Sequence, residues 1–136
     1  KWDINNEGIE FEDTEDGYAT ISGWFESAWA PPIEAYNTFL ENNELMEIYA
    51  TYEEGGMDFA GIYDNGDDDY MEGISEPCDR IVRGTETLEE QTELFQRLEE
   101  ELDLIENRRD YIEEQMEEER RDEKNGVYPQ HEDVAN

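Results

Sequence analysis

The first half of the chain carries short runs in which apolar and polar residues alternate, separated by residues that favour turns. Alternation with a period of two is typical of strands that bury one face. Turns are predicted at residues 15–17, 55–56 and 65–66, because glycine and asparagine adopt the backbone angles of tight hairpins. The pattern predicts strands over residues 9–13, 18–25, 45–53, 58–63 and 69–74.

One helix is predicted between the second and third strands. The tandem prolines Pro31 and Pro32 suit a helix start, because the first helical position needs no N–H donor, and Asn42-Asn43 suits its end. The order β-β-α-β-β-β predicts an α+β fold in which one small antiparallel sheet has a helix packed on one face.

From Thr87 onward the apolar residues follow a seven-residue repeat, which is typical of a coiled-coil-like helix. Thr87 and Glu90 have the spacing of a capping box, and Asn125-Gly126 is a helix stop. We expect one continuous acidic amphipathic helix over residues 85–125, about 60 Å long at about 1.5 Å per residue. Its apolar seam consists of Leu88, Phe95, Leu98, Leu102, Ile105, Ile112 and Met116.

The seam can be covered in two ways: by the chain's own sheet, or by a second copy of the chain. We favour self-association as a homodimer, because the predicted helix is longer than a small sheet. This interpretation divides the chain into an α+β domain over residues 1–84, a long helix over 85–125 and a flexible tail over 126–136.

Neither membrane insertion nor secretion is expected. No apolar run approaches the roughly 18 residues needed to cross a bilayer, and there is no signal-peptide pattern. The single cysteine, Cys78, can form no internal disulfide, so an oxidising compartment is not indicated. We therefore expect a cytoplasmic protein.

Charge then restricts the class of partner. The 136 residues include 41 acidic and 9 basic side chains, giving a net charge of −32, and the mean hydropathy is −1.04. Such a composition is typical of disorder, but aromatic residues make up 12% of the chain and favour a folded domain. A surface this negative repels nucleic acid and anionic lipid. The expected partner is a basic protein, most commonly one that itself binds nucleic acid.

Candidate catalytic and metal-binding groups are few. The only histidine, His131, lies near the end of the chain without a partner set for a triad or a metal site. Cys78 has acidic neighbours, which raise the pKa of a thiol. In the acidic stretch that begins at Asp64, Asp69 and Ser75 occupy the positions where an EF-hand needs glycine and glutamate. We expect no catalytic residues, no metal site, no cofactor and no enzymatic activity.

Two motifs resemble signatures of a known family. Trp29-Ala-Pro-Pro-Ile33 is similar to a W-S/A-P-P-I signature, and the run over residues 52–66 is similar to Y-x-E-x-G-M-x-F-x-G-x-Y-x-N-G. Both are signatures of the YubB or Api-like group of ferredoxin-like domains in phage and plasmid proteins, and the resemblance covers about residues 1–75. It implies a ferredoxin-like fold and a mobile-element origin, hence the cytoplasm of an infected or plasmid-bearing bacterium. It implies no reaction and no catalytic residues.

The charge and the resemblance together predict a nucleic-acid mimic. Residues 85–124 carry 17 acidic and 6 basic side chains. This net charge of −11 over about 60 Å is one charge per about 5 Å, whereas duplex DNA has one per about 1.7 Å. Two such helices side by side would approach DNA. The predicted partner-binding residues are Glu99, Glu100, Glu101, Asp103, Glu106, Asp110, Glu113, Glu114, Glu117 and Glu118 on the helix, with Asp67, Asp68 and Asp69 at a hairpin tip.

The predicted activity is binding and inhibition of a basic, nucleic-acid-binding host defence enzyme of restriction or CRISPR type. Two alternatives stay open. A structural or assembly protein would oligomerise through the coiled coil and form salt-tolerant oligomers. A halophile-adapted binding module would carry its acidity on every face, where the charge maintains solubility.

Overall fold

The structure is a computed structural model that describes residues 2–4, 8–14, 16–28 and 30–126. It confirms an α+β fold with small antiparallel sheets and, within the described residues, four α-helices, of which the last is long. None of the helices in the described part of the chain is both long enough and apolar enough to cross a bilayer.

The chain divides into two compact units, an N-terminal unit (Lys1–Ile48) and a C-terminal unit (Tyr49–Asn136). The boundary predicted at Gly84 falls inside the C-terminal unit, and the predicted tail lies outside the described residues except for Gly126. The elements are β1 (Trp2–Ile4), β2 (Glu10–Asp13), β3 (Ala19–Ser22), β4 (Phe25–Ser27), α1 (Ile33–Asn42), β5 (Tyr49–Glu54), β6 (Phe59–Asp64), β7 (Asp67–Glu72), α2 (Ser75–Arg83), a 3₁₀ turn (Leu88–Glu90), α3 (Glu93–Leu102) and α4 (Leu104–Lys124).

Within the described residues the strands form three separate sheets, so the expectation of one sheet is wrong. In the N-terminal unit, β1 pairs with β4, and β2 pairs with β3 so that Phe11 lies opposite Ile21. The strand predicted over residues 18–25 is two strands, β3 and β4, which are separated by Gly23-Trp24 and belong to different sheets. No described side chain of this unit is fully buried.

The helix α1 lies where the prolines predicted it. Ile33 follows Pro32 directly, and the helix ends at Asn42. The side-chain amide of Asn43 then donates to the Phe39 carbonyl at 2.8 Å, which satisfies one of the free carbonyls at the helix end. The local sequence therefore determines both ends of this helix.

In the C-terminal unit, β5, β6 and β7 form a three-stranded antiparallel meander with β6 in the centre. The predicted hairpin at Asn65-Gly66 is confirmed, because Asp64 lies opposite Asp67 across a two-residue turn. Both turn residues have positive φ, 49° and 111°, as the favoured two-residue hairpin requires. The strand β5 begins at Tyr49, four residues later than predicted.

Gly61 allows a large ring to lie across the centre of this sheet. Its neighbours Ala60 and Ile62 point into the core, whereas a Cβ built at Gly61 would approach the Tyr52 hydroxyl oxygen to 2.2 Å. Tyr52 spans the glycine and donates a hydrogen bond to Asp68 Oδ1 at 2.6 Å. A side chain at position 61 would displace that ring, so glycine is required there.

The core of the C-terminal unit is formed by the sheet and the helices α2, α3 and α4. The helix α3 contacts all three strands, and α4 packs chiefly on α2. The buried cluster consists of Ala60, Ile62, Ile74, Cys78, Phe95, Leu98, Leu104, Ile105 and Ile112.

The sequence pattern did not predict α2, although its end signals are present. Pro77 lies in the first turn, and Gly84, with φ of 84°, directly follows the last residue. The start is fixed by a residue distant in sequence, because the Asp58 carboxylate accepts from the Ser75 N–H at 2.9 Å and from its hydroxyl at 2.8 Å. Nine residues are too short for a period of 3.6 to be recognised reliably.

The expectation of one continuous helix over residues 85–125 is wrong. The chain forms the 3₁₀ turn, then α3, then α4, and Asp103 separates the two α-helices in a left-handed conformation with φ of 51°. The Glu90 carboxylate accepts from the Thr87 N–H at 2.7 Å, but it caps the 3₁₀ turn, and α3 has its own cap at Thr92. The predicted stop at Asn125 is confirmed, since α4 ends at Lys124.

The break allows both segments to bury their apolar faces within one small unit. A straight helix of this length extends beyond a three-stranded sheet, and its distal apolar residues would meet water. With the chain redirected at Asp103, α3 packs on the strands and α4 on α2. Burial of both seams offsets the cost of one left-handed residue, which is about 1–2 kcal/mol.

Candidate functional site

The helix α4 has one buried face and one acidic face. Ile105 and Ile112 are 7% and 5% exposed and lie on the side that packs against the rest of the unit. The acidic side chains lie on the opposite side, within about 140° of the helix circumference at 3.6 residues per turn. We call this surface the α4 acidic face; it comprises the exposed residues Glu106, Asp110, Glu113, Glu114, Glu117 and Glu118.

Charge is concentrated in the middle of α4. Residues 110–119 contain six acidic and no basic side chains, and the five basic residues of the helix lie nearer its two ends. Ten residues extend about 15 Å, so this segment has one charge per about 2.5 Å, against about 1.7 Å for duplex DNA. The average over residues 85–124 conceals this local concentration of carboxylates.

Half of the α4 acidic face is engaged in ion pairs along the helix surface. Arg109 lies 3.2 Å from Glu106 and 4.0 Å from Glu113, and Arg120 donates to Glu117 at 2.8 Å, which lowers the pKa of Glu117. Such exposed pairs contribute little stability and are screened by salt. Three members form no ion pair within the described residues: Asp110, Glu114 and Glu118.

The remaining predicted helix acids do not join this face. Glu99, Glu100 and Glu101 belong to α3, and Asp103 lies at the break. Glu99 has a structural contact, because its carboxylate accepts the Ile105 N–H at 2.8 Å. The expectation that all ten helix acids lie on one helix is therefore wrong, and only the six on α4 form one face.

The acids Asp67, Asp68 and Asp69, predicted at a hairpin tip, are exposed but form the first three residues of β7, and the tip itself is Asn65-Gly66. Two of them already have partners within the C-terminal unit. Asp68 accepts from Tyr52, and Asp69 lies 3.4 Å from Arg97 of α3. Neither partner belongs to α4, because Tyr52 lies in β5 and Arg97 in α3.

The predicted self-association seam is used inside the chain. Phe95 and Leu98 are fully buried, and Ile105 and Ile112 are almost completely buried. Leu88, Leu102 and Met116 are partly buried against the same cluster. Of the two ways of covering the seam, packing on the chain's own sheet and helices is the one that the structure shows.

Two ion pairs hold α4 in place, and the sequence pattern predicts neither of them. Arg83 of α2 binds Glu119 through both guanidinium nitrogens, at 2.8 and 3.2 Å, which lowers the pKa of Glu119 and raises that of Arg83. Arg108 of α4 binds Glu53 of β5 at 2.9 Å, with side chains that are 15% and 25% exposed. In a chain with 41 acidic residues, no sequence signal selects these partners.

The other candidate groups do not assemble a reactive centre in the described residues. Cys78 is buried, and burial raises its pKa to about 11, with Arg108 opposing the shift in part. No three histidine, cysteine or carboxylate side chains of the described residues lie close enough together to hold a metal ion. His131 lies outside the described residues.

A cleft of about 610 Å³ lies between the start of α2 and the first turns of α4. Its charged groups are already paired: Asp58 caps α2, Arg80 lies 2.9 Å from Glu86, and Arg108 binds Glu53. The cleft therefore offers neither a free base nor a strong anion site, and α4 remains the stronger candidate surface.

The chain matches no protein-family model, and no curated protein or solved structure is significantly similar to it. Its function has to be inferred from the charge and geometry of its own residues.

Proposed function

We propose that this protein is a nucleic-acid mimic that binds a basic, nucleic-acid-binding host enzyme through the α4 acidic face and thereby inhibits it. The observation that carries the proposal is the segment 110–119, which contains no base and contributes five of its six carboxylates to this face, the sixth, Glu119, being bound by Arg83. These five carboxylates are spaced by about 3 Å along the helix axis, which is within a factor of two of duplex DNA.

The face is suited to replace phosphates at a basic surface. Asp110, Glu114 and Glu118 recur every fourth residue and form no ion pair within the described residues, so a partner's arginines can bind them without breaking one. The paired Glu113 and Glu117 are exposed, and their local arginines can be exchanged at small cost. Such contacts accelerate association and weaken as salt rises.

The proposed host and target rest on the resemblance of two sequence motifs, at residues 29–33 and 52–66, to phage and plasmid domains. A mobile-element origin belongs to the same proposal. A protein encoded by a mobile element benefits from blocking a defence enzyme, so the proposed target is of restriction or CRISPR type, in the cytoplasm of a bacterial host. The protein has no catalytic role in this proposal.

The proposal is tested by capture from a bacterial lysate at low and high salt, followed by mass spectrometry. The decisive variant neutralises the unpaired part of the α4 acidic face: Asp110→Asn, Glu114→Gln and Glu118→Gln, together called the α4 neutral variant. We expect the unmodified protein to retain a basic nucleic-acid enzyme at low salt, and the α4 neutral variant to lose it.

A matched control removes the same charge elsewhere. Glu34, Glu41 and Glu44 are exposed residues in or next to α1, and their replacement by glutamine gives the α1 neutral variant. It should capture the same enzyme as the unmodified protein. Equal loss in both variants would indicate bulk charge, as the halophilic alternative expects, and capture of salt-tolerant copies of itself alone would favour the assembly alternative.

The assembly alternative has less support than the mimic. A coiled-coil assembly protein needs its seam exposed, whereas Phe95 and Leu98 are fully buried in this chain. Any assembly through this seam requires α3 or α4 to move first.

A further inference from the structure

The break between α3 and α4 is confined to one residue. Leu102 is the last residue of α3 and Leu104 the first of α4, so only Asp103 departs from helical geometry. Helical hydrogen bonds are present on both sides of it. The Asp103 N–H donates to the Glu99 carbonyl at 2.9 Å, and the Asn107 N–H donates to the Asp103 carbonyl at 3.0 Å.

The bent conformation is locally unfavourable. A left-handed residue with a side chain brings its Cβ close to the following carbonyl oxygen, and Asp103 is such a residue. The Ile105 N–H, whose partner in a continuous helix is the Glu101 carbonyl, instead donates to the Glu99 carboxylate at 2.8 Å. Rotation of Asp103 into the right-handed region would restore the backbone bond and relieve the close approach.

The sequence across the break is that of a continuous helix. Leu98, Leu102, Ile105 and Ile112 keep a seven-residue repeat through position 103, and neither glycine nor proline interrupts it. A permanent bend would favour glycine at position 103, because glycine adopts positive φ without cost. The sequence therefore retains compatibility with a straight helix.

The helix α4 is attached mainly to α2, is held to β5 by the Arg108–Glu53 ion pair, and contacts α3 only sparsely. If α3 and α4 straighten, α4 leaves α2 and uncovers the side to which Cys78 and Arg83 contribute. The α4 of a second copy would fit the uncovered side of α2 in every contact, because it has the same sequence. It would also restore the two hydrogen bonds from Arg83 to Glu119.

We infer that Asp103 is a hinge through which two copies exchange α4, so that the α4 of each copy packs on the α2 of the other. In the exchanged dimer, residues 93–124 form one helix of about 48 Å. All α2–α4 contacts are retained between the copies, and in each protomer Asp103 leaves the left-handed region. Because each copy carries a net charge of −32, the dimer should form more readily as salt increases. This inference does not depend on the proposed mimicry.

The first test is a pair of substitutions at the hinge with opposite expected effects. Asp103→Ala favours the straight helix, since alanine is the best helix former and is disfavoured in the left-handed region. Asp103→Gly favours the bend. We expect each substitution to change the equilibrium constant between the bent and the straight helix roughly tenfold per protomer. The dissociation constant of the dimer should therefore fall up to about a hundredfold in Asp103→Ala and rise in Asp103→Gly. Analytical ultracentrifugation over a range of salt and protein concentrations measures it.

The second test asks whether the helices are exchanged. Arg83→Glu and Glu119→Arg each place like charges between α2 and α4, in a monomer and in a dimer of identical copies. When the two variants are mixed, an exchanged heterodimer has two different α2–α4 interfaces. At one of them the substituted glutamate at position 83 meets the substituted arginine at position 119. At the other the original Arg83–Glu119 pair is restored. We expect the mixture to form several-fold more heterodimer than either variant forms homodimer, as measured by native mass spectrometry.

The double variant, which restores the pair within one chain, is the control and should behave as the unmodified protein does. The inference is overturned if Asp103→Ala is as monomeric as Asp103→Gly at every salt and protein concentration tested. It is also overturned if a dimer forms but the mixed variants show no preference for the heterodimer. Should Asp103→Ala fail to fold by circular dichroism, the mixing experiment in the original background at high salt decides between these outcomes.

Discussion

At the scale of the residue, burial determines the chemistry of the only thiol. Cys78 lies in the core of the C-terminal unit, and burial raises its pKa to about 11 although the Arg108 guanidinium lowers it in part. The thiolate is the nucleophile, so a neutral, covered thiol is unreactive near neutral pH. The sequence indicated the same outcome for a weaker reason, the acidic neighbours of Cys78.

We predict that iodoacetamide at pH 8 modifies Cys78 in the folded protein at least a hundredfold more slowly than in urea, because the thiolate fraction is lower and access is blocked. The rate is followed by mass spectrometry. A variant with Cys78→Ala and Tyr111→Cys provides an exposed thiol on α4 and should react rapidly without denaturant, since Tyr111 is 67% exposed. Equal rates for Cys78 in the two conditions would contradict the burial described above.

At the scale of the element, the position of α4 depends on its attachment to α2. Arg83 holds Asp79 of its own helix and Glu119 of α4, and the hydrogen bond from Arg83 lowers the pKa of Glu119. A carboxylate whose pKa is lower in the folded state stabilises that state at neutral pH. The stabilisation disappears as the pH falls from the ordinary value of 4.5 through the lowered one.

Replacement of Glu119 by glutamine should therefore lower the unfolding temperature by a few degrees at most at pH 7, and the difference from the unmodified protein should vanish in acid. Thermal unfolding followed by circular dichroism from pH 7 to pH 3 measures both effects. Glu114→Gln removes an unpaired carboxylate and is the control, which should show no loss at any pH. A difference that persists unchanged at pH 3 would show that the Arg83 contact does not involve the charged carboxylate.

The elements also show which features a sequence can predict. The Asn65-Gly66 hairpin, the ends of α1 and the end of α4 were predicted because each depends on the backbone preferences of a few adjacent residues. The bend at Asp103 was not predicted, because it depends on how much apolar surface the small sheet and α2 can cover.

The candidate site likewise has features that the sequence predicts and features that it does not. The acidic face of α4 follows from helical spacing and was predicted. The separation of Glu99 from that face was not, because it follows from the bend at Asp103. The choice of Glu119 by Arg83 was not predicted either, because it depends on the packing of α2 against α4.

At the scale of the whole molecule, both units are negatively charged but not in the same way. Residues 1–48 carry 12 acidic side chains and 1 basic one, whereas residues 49–126 carry 27 acidic and 8 basic ones. In the C-terminal unit six arginines bind carboxylates, and residues 110–119 contain no base. The charge of this unit is therefore patterned, as recognition of a basic partner requires and solubility alone does not.

We propose that the α4 acidic face, rather than the bulk charge, competes with nucleic acid. The most direct measurement is the displacement of a fluorescent DNA duplex from the captured enzyme by this protein, at several salt concentrations. We predict displacement that weakens steeply with salt, is unchanged in the α1 neutral variant, and is at least tenfold weaker in the α4 neutral variant. Equal displacement by the two variants, or no displacement of the duplex by the unmodified protein, would contradict the claim.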